Sequence, residues 1–536
     1  MADTKREIER KYAADPGATP PDLTGAAGIA ETRDRGTVEL DAVYHDTPDL
    51  RLAAAKITLR RRTGDDEAGW HLKLPVGDGV RDEVHAPLAD TVPDELAGLV
   101  RARIREAELR PVVRILSSRR LHELLDAEGA AIAELSVDEV LATRLHPADG
   151  AGGADGAGGS GASEGSEGSG GSDGSEVEAG SAAWTEIEVE LADGVDPAVL
   201  AKLDKRLRKA GLSEAPAASK LARALTETGG GPAPHPEAPA DGDTAGAHVL
   251  AYLRAQRDAI LTQDPAVRQD LPDAVHQLRV ATRRARSAFK TARRFLDREV
   301  TDPIGDELKW LAGELGVDRD REVLTERLRG ALDDVDDTLL LGPASARLTV
   351  WSADRATDAR ARTLAALDSP RYLELLDALD ALLTEPPLTP RAAKPAAKQL
   401  PGVVRKDFDR LAARVEAALA LDPGPERDIA LHEARKAAKR LRYAAEAARP
   451  ALGRPAQRFG KAVKRVQKLL GEHQDSVVAR DTLREIAVEA HAAGENAFVW
   501  GLLYGREHES ASEQERALPA VWAEASRDGL RRALGS

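Results

Sequence analysis

The chain has 536 residues, enough for two or more domains with cores of their own. It contains no cysteine, which excludes disulfides, thiolate metal sites and cysteine nucleophiles. A net charge of −15 argues against broad nucleic-acid binding through bulk charge.

The opening MADTKREIER is polar and charged, unlike a secretory signal. No apolar run reaches membrane-spanning length, so the expectation is a soluble, cytoplasmic protein with no membrane partner. Strand-like alternation then runs through TVELDAVYHDT, KITLRRRTG, GWHLKLPV and AAIAELSVDEV. Residues 149–183 are Gly/Ser-rich with scattered acids and cannot bury a core, which predicts a disordered insert. Alternation resumes in WTEIEVEL, and an amphipathic helix is predicted over DPAVLAKLDKRLRKAGL. The insert is therefore read as an expanded hairpin loop inside one β-rich domain, residues 1–228. A Pro/Gly/Ala-rich linker follows at 229–246, and from 247 to 536 the period is helical throughout.

The strands share an odd property. Glu7, Glu9 and Lys11 lie on one face of REIERKY, because alternate side chains of a strand point the same way. Arg60 and Arg62 share a face in LRRR, and Lys73 stands between two leucines. Arg81 and Glu83 alternate in VRDEV, and Glu186, Glu188 and Glu190 alternate opposite Ile187, Val189 and Leu191. A sheet with one face in water would account for any single strand. Yet the charges are sorted, acids on the first and last strands and bases between, and the charged faces use no Ser, Thr or Gln. Closing the sheet with these faces inward gives a lumen that a ligand must neutralise. Arg and Lys suit phosphate oxygens. Clustered glutamates suit a hard divalent cation such as Mg²⁺ or Mn²⁺. His71 is expected on the packed side of its strand.

EIERKY resembles the ExExK opening of the CYTH domains, the triphosphate tunnel metalloenzymes, and the likeness continues through LRRR, LKLP, RDEV, AELSVDEV, EIEVEL and SKLARAL, over about residues 5–225. The resemblance implies an α+β domain whose eight-stranded antiparallel barrel forms a tunnel. It implies catalysis around Glu7, Glu9 and Lys11, with Glu7, Glu9, Glu186, Glu188 and Glu190 as metal ligands. Lys11, Arg60, Arg62, Lys73, Arg81, Arg114, Arg119 and Lys220 would hold the substrate phosphates, with Glu134 and Asp138 as further tunnel acids.

The helical part repeats itself. VHQLRVATRRARSAF, from Val275, and LHEARKAAKRLRYAA, from Leu431, align His276 with His432, Arg279 with Arg435, Arg283 with Lys439 and Arg286 with Arg442. LGVDRD (315–320) and LGEHQD (470–475) fall in nearly the same register. His276, Arg279, Arg283, Arg286 and Lys290 form a stripe without an acid, and His432, Arg435, Lys439 and Arg442 repeat it. Lys461, Lys464 and Lys468 make a third stripe. Such faces call for an anionic partner, and the scarcity of aromatics favours phosphate over bases. The duplicated helices resemble the CHAD domain, the conserved-histidine α-helical domain, over about residues 247–530. That resemblance implies an all-α bundle with internal duplication that binds inorganic polyphosphate through these stripes, and hence association with polyphosphate granules.

The expectation is thus a divalent-metal-dependent triphosphatase acting on inorganic triphosphate or a related linear triphosphate, fused to a polyphosphate-binding domain. The alternatives are a non-catalytic polyphosphate-binding scaffold, or a nucleotide cyclase or thiamine triphosphatase on the same fold.

Overall fold

A computed structural model describes residues 3–77, 79–145, 180–232 and 242–534. Most of the predicted insert, and 233–241 of the predicted linker, lie outside the described residues. The chain divides into two compact units, Met1–Pro236 and Glu237–Ser536.

The first unit carries strands β1 (Asp3–Ala14), β2 (Glu31–Asp46), β3 (Thr58–Thr63), β4 (Gly69–Gly77), β5 (Val80–Pro87), β6 (Arg110–Leu125), β7 (Ala131–Arg144), β8 (Ser181–Leu191) and a short β9 (Ser213–Glu214). Its helices are α1 (Arg51–Ala54), α2 (Asp94–Ile104), α3 (Ala198–Lys209) and α4 (Lys220–Glu227). The antiparallel order is β5-β4-β3-β2-β6-β7-β8-β1, and β5 pairs back onto β1, so eight strands close into a ring. β1 achieves this by changing partner along its length. Its first half pairs with β5, Glu7 opposite Arg81, and its second half with β8, Lys11 opposite Glu188.

Alternation then sorts the side chains. The outward rows are apolar and covered. Leu59, Trp70, Leu72 and Val84 pack with Leu96, Leu99 and Val100 of α2. Tyr12, Leu135, Ile187 and Val189 pack with Leu200, Leu203 and Leu207 of α3. The inward rows are charged along most of the ring, which therefore encloses a polar tunnel rather than a core. Inward residues are apolar at Val38, Leu40 and Leu121, which line the cavity, and more continuously at one end. There Ala42, Tyr44, Val113, Ile115, Ala142 and Trp184 receive Leu221, Ala224 and Leu225, so α4 stoppers that end from within.

The second unit is helical: α5 (Ala245–Arg268), α6 (Ala274–Ala292), α7 (Arg298–Glu314), α8 (Gly316–Asp333), α9 (Ala344–Asp368), α10 (Pro370–Thr384), α11 (Ala396–Leu419), α12 (Pro425–Ala492), α13 (Phe498–Ala525) and α14 (Asp528–Arg532). α12 is two helices joined across a kink at Gly453, whose φ of +61° and ψ of −138° are not helical. The predicted duplication is visible in side-chain pairs. Arg279 of α6 bonds Asp320 of α8 at 2.6 Å and lies against Gly316. Arg435 bonds Asp475 at 3.1 Å and lies against Gly471. Each LG…D segment thus supplies a glycine that admits the guanidinium and an acid that holds it.

Candidate functional site

The tunnel is a cavity of about 460 Å³. Its interior holds seven bases, Lys11, Arg60, Arg62, Lys73, Arg81, Arg119 and Lys220, among the carboxylates of Glu7, Glu9, Glu83 and Glu188. The acids are spoken for by cations. Lys73 Nζ bonds Glu7 at 2.5 Å, and Lys11 bonds both Glu9 and Glu188. Arg119 grips Asp138 with two bonds of 2.7 Å and reaches Glu188 at 2.9 Å. Lys220, delivered by the first turn of the stopper helix, sits 2.8 Å from Asp138, 2.9 Å from Glu186 and 2.5 Å from Glu188.

This crowding moves the titrations. Burial lifts Glu7 to about 7; Lys73 opposes the rise and Glu83 adds to it. Burial would lift Glu9 as well, but Lys11, Lys73 and Arg81 outweigh it and hold this carboxyl down at about 2. Burial disfavours the Lys220 ammonium, yet Asp138, Glu186 and Glu188 together hold its pKa well above the usual range.

Asp138, Glu186 and Glu188 offer oxygens close enough together to hold a metal ion. The Lys220 ammonium already stands among those three, so this trio is cation-satisfied without a metal. Glu186 lies buried behind the lumen, where it also accepts a 2.7 Å bond from Trp184 Nε1. Glu7, Glu9, Glu188 and Glu190 line the cavity itself and form an all-oxygen donor set, which fits a hard divalent cation.

Two expectations need correcting. Arg114 is not in the tunnel. It stands five positions before Arg119, an odd step, so it points the other way, and it pairs with Asp41 on the outside at 2.6 Å with half its side chain exposed. His71 does not face the packed side. It shares the inward face with Lys73, and its Nδ1 lies 3.1 Å from Glu83. Its Nε2 donates to the Glu67 carbonyl at 2.9 Å.

In the second unit a cavity of about 410 Å³ opens between α6, α11 and the first half of α12. Arg283, Arg286 and Lys290 enter from α6, Lys439 and Arg440 from α12, and Glu433 is the acid among its lining residues. Burial, then Arg283, Arg435 and Arg279, push the Lys439 ammonium down to about 7. Arg279 and Arg435 stand in their Asp pairs instead of lining the cavity. His432 bonds Gln474 at 2.6 Å, and His276 is half-buried on α6. Arg442 packs over the Tyr443 ring with Glu446 beside it. The third stripe is separate: Lys461, Lys464 and Lys468 lie beyond the Gly453 break, exposed and outside this cavity.

Family models for a CYTH domain and a CHAD domain match residues 5–225 and 251–484. An uncharacterised protein of Mycobacterium tuberculosis strain H37Rv is 39% identical over 525 residues, spanning 96% of this chain and 95% of its own. The chain belongs to the CYTH–CHAD family. Among solved structures, PptA from Streptomyces chartreusis is similar at 26% identity, over 52% of this chain and 99% of its own, with a TM-score of 0.44. The CHAD domain from the plant Ricinus communis is similar at 26% identity, over 55% and 92%, with a TM-score of 0.39.

Several residues of the two sites escaped the sequence reading. The CYTH tunnel is also lined by Lys5, Arg35, Asp65, Asp66 and Glu67. Lys5 extends the inward row of Glu7, Glu9 and Lys11 by one step, a signal open to view. The CHAD cavity gains Arg410 and Arg414 from α11, four apart on one face but masked by neighbouring acids in DFDRLAARVEA. No helix among the described residues is long and apolar enough to cross a membrane.

Proposed function

We propose that the CYTH tunnel hydrolyses inorganic triphosphate or a related linear triphosphate with a divalent cation, Mg²⁺ or Mn²⁺, and that the CHAD cavity binds inorganic polyphosphate. The observation that carries the first half is the paired lining: a basic wall and a carboxylate row facing one stoppered lumen. Mere capture of phosphate needs only the bases. Glu7, Glu9, Glu188 and Glu190 would hold the cation, which supplies charge neutralisation and polarisation of water when bound. Lys11, Arg60, Lys73, Arg81 and Arg119 then bind and orient the phosphate chain, each released from its present carboxylate or tyrosine partner by the incoming anion. Burial keeps these charges effective by limiting screening. For the CHAD cavity, eight bases line one concave site, with Glu433 the carboxylate in the lining and Asp407 pairing Arg410 and Arg440.

The test is phosphate release from tripolyphosphate, thiamine triphosphate and ATP, with Mg²⁺ and with Mn²⁺, by the full chain and by Glu7→Gln. Metal-dependent release that falls at least a hundredfold in the variant is expected, as for loss of a group acting on the reacting centre. Turnover retained by Glu7→Gln at saturating metal would remove the tunnel from the reaction.

A further inference from the structure

A cluster of metal-type side chains stands in the CHAD unit, outside the linings of both cavities: Asp428, His473 and Glu515. Asp428 lies in the first turn of α12, His473 beyond the kink in the same helix, and Glu515 on α13. The kink is what brings them together. Arg480 bonds Asp428 from 52 positions on, a distance of about 78 Å in a straight helix. The two arms of α12 therefore fold back on each other at Gly453, and α13 closes the third side.

His473 is 1% exposed, and its Nε2 stands 3.3 Å from Asp428 Oδ1 and 3.3 Å from Glu515 Oε1. The three atoms lie within 4.8 Å of one another. A charge-assisted hydrogen bond runs at about 2.7–2.9 Å, so both contacts are long for one. They match ligand spacing instead. Two atoms each about 2.0–2.1 Å from a tetrahedral ion stand about 3.3–3.4 Å apart. The second oxygen of each acid is held from the far side: Arg480 donates to Asp428 Oδ2 at 2.8 Å, and Arg427 lies 3.2 Å from Glu515 Oε2. Each carboxylate is thereby fixed with one oxygen turned to His473, as outer partners fix metal ligands. The tunnel trio differs, because there the Lys220 ammonium itself stands among the three acids. His473 Nδ1 is buried without a hydrogen-bond partner among the described residues, so the ring makes its polar contacts through Nε2.

We infer that Asp428, His473 and Glu515 bind one transition-metal ion, Zn²⁺ by the chemistry of the donors. One imidazole nitrogen and two carboxylate oxygens leave a fourth position for water. The imidazole selects Zn²⁺ over Mg²⁺, which separates this site from the all-oxygen set of the tunnel. The ring binds through Nε2 with its proton on Nδ1. That proton is buried without an acceptor, so the ion is exchangeable rather than permanent. Bound there, it clamps both arms of α12 to α13. The site is no part of the repeat. Asp318 stands in LGVDRD where His473 stands in LGEHQD, and Pro272 stands four places before His276 where Asp428 stands four before His432.

The test titrates the full chain, carrying no added histidines, with Co²⁺. Four-coordinate Co²⁺ absorbs strongly in the visible and octahedral Co²⁺ among oxygens only weakly, so ions in the tunnel do not mask the signal. One equivalent of strongly absorbing Co²⁺ is expected, displaced by Zn²⁺ and not by Mg²⁺. His473→Ala should abolish the band, and Glu515→Gln should weaken Co²⁺ binding at least about tenfold, with the far-UV circular dichroism of both unchanged. Glu9→Gln, which alters the tunnel, should leave the band as it is. A wild-type chain without the band overturns the inference, as does a folded His473→Ala variant that keeps it. Should His473→Ala fail to fold, Glu515→Gln decides: weakened binding supports the site, and unchanged affinity overturns it.

Discussion

Replacing Lys220 with Met should destabilise the CYTH unit more than any exposed charge change could. The Lys220 side chain is 9% exposed, and its ammonium is within 2.9 Å of three carboxylates, Asp138, Glu186 and Glu188. Met keeps the apolar stem that follows α4 into the lumen but leaves the three acids to Arg119, Lys11 and the Trp184 indole. Removing one partner from a buried ionic cluster costs about 3–5 kcal/mol. For a unit of this size each kcal/mol moves Tm by about 2–4 °C, so a loss of about 10 °C is expected. The sign of the pH dependence follows from the cited shifts. Burial raises Asp138 and Glu188, but their cations outweigh it and hold both below the ordinary carboxylate value. Their contribution to stability is present above the unfolded pKa of about 4 and disappears as pH falls through the folded value. The gap between variant and wild type should therefore be full at neutral pH and narrow on acidification. Lys220 itself has a raised folded pKa, so its contribution is fully present below the unfolded value of about 10.4 and adds no slope near neutrality. Adding Asp138→Asn to the variant removes one orphaned charge and should restore part of the loss. Calorimetry of the full chain resolves the transition. A melting point within about 2 °C of wild type would refute the reasoning, because it would mean the acids had never depended on this ammonium.

Gly64→Ala should cost clearly more than Gly36→Ala. Both glycines have positive φ, but a Cβ at Gly64 meets the Glu39 backbone at 2.0 Å whereas Gly36 has open space. The Gly36 change should cost about 1–2 kcal/mol from conformation alone, the Gly64 change more, and denaturant unfolding decides between them. In the CHAD cavity, polyphosphate should drive protonation of Lys439, which burial and the neighbouring Arg283, Arg435 and Arg279 hold at about 7. Affinity should fall by up to about tenfold per pH unit above that value and level off below it. Lys439→Arg should flatten the profile, and a profile identical to wild type would exclude Lys439 as its source.

What the sequence revealed depended on whether charge and period agreed. The tunnel was legible because a strand whose hidden face is charged violates ordinary burial, and the violation repeated on β1, β3, β4, β5 and β8. Parity alone separated Arg114 from Arg119, and the resemblance had pooled them. His71 was misplaced for the same reason, since Trp70 and Leu72 already claimed the packed face. The lining acids of GDDEA were illegible. A Gly/Asp/Glu turn reads as a solvated loop, and only closure of the ring turns it toward a lumen.

The two basic stripes of the CHAD unit show where periodicity stops carrying information. Spacing of three and four put Arg279, Arg283, Arg286 and Lys290 on one face of α6 and treated them alike. Their fates diverge through partners far away in sequence. Arg279 is neutralised by Asp320, 41 positions on, as Arg435 is by Asp475, 40 positions on. Arg283, Arg286 and Lys290 instead meet Lys439 and Arg440 of the other copy, with Arg410 and Arg414 from α11. Duplication thus brings two basic faces together, and the Asp in each LG…D segment relieves one arginine per copy. Asp407 holds Arg410 and Arg440 at the same junction, and there burial, with Arg283, Arg435 and Arg279 nearby, depresses Lys439. The cavity at this junction follows from the repeat itself: α6 supplies one wall and the first half of α12 another.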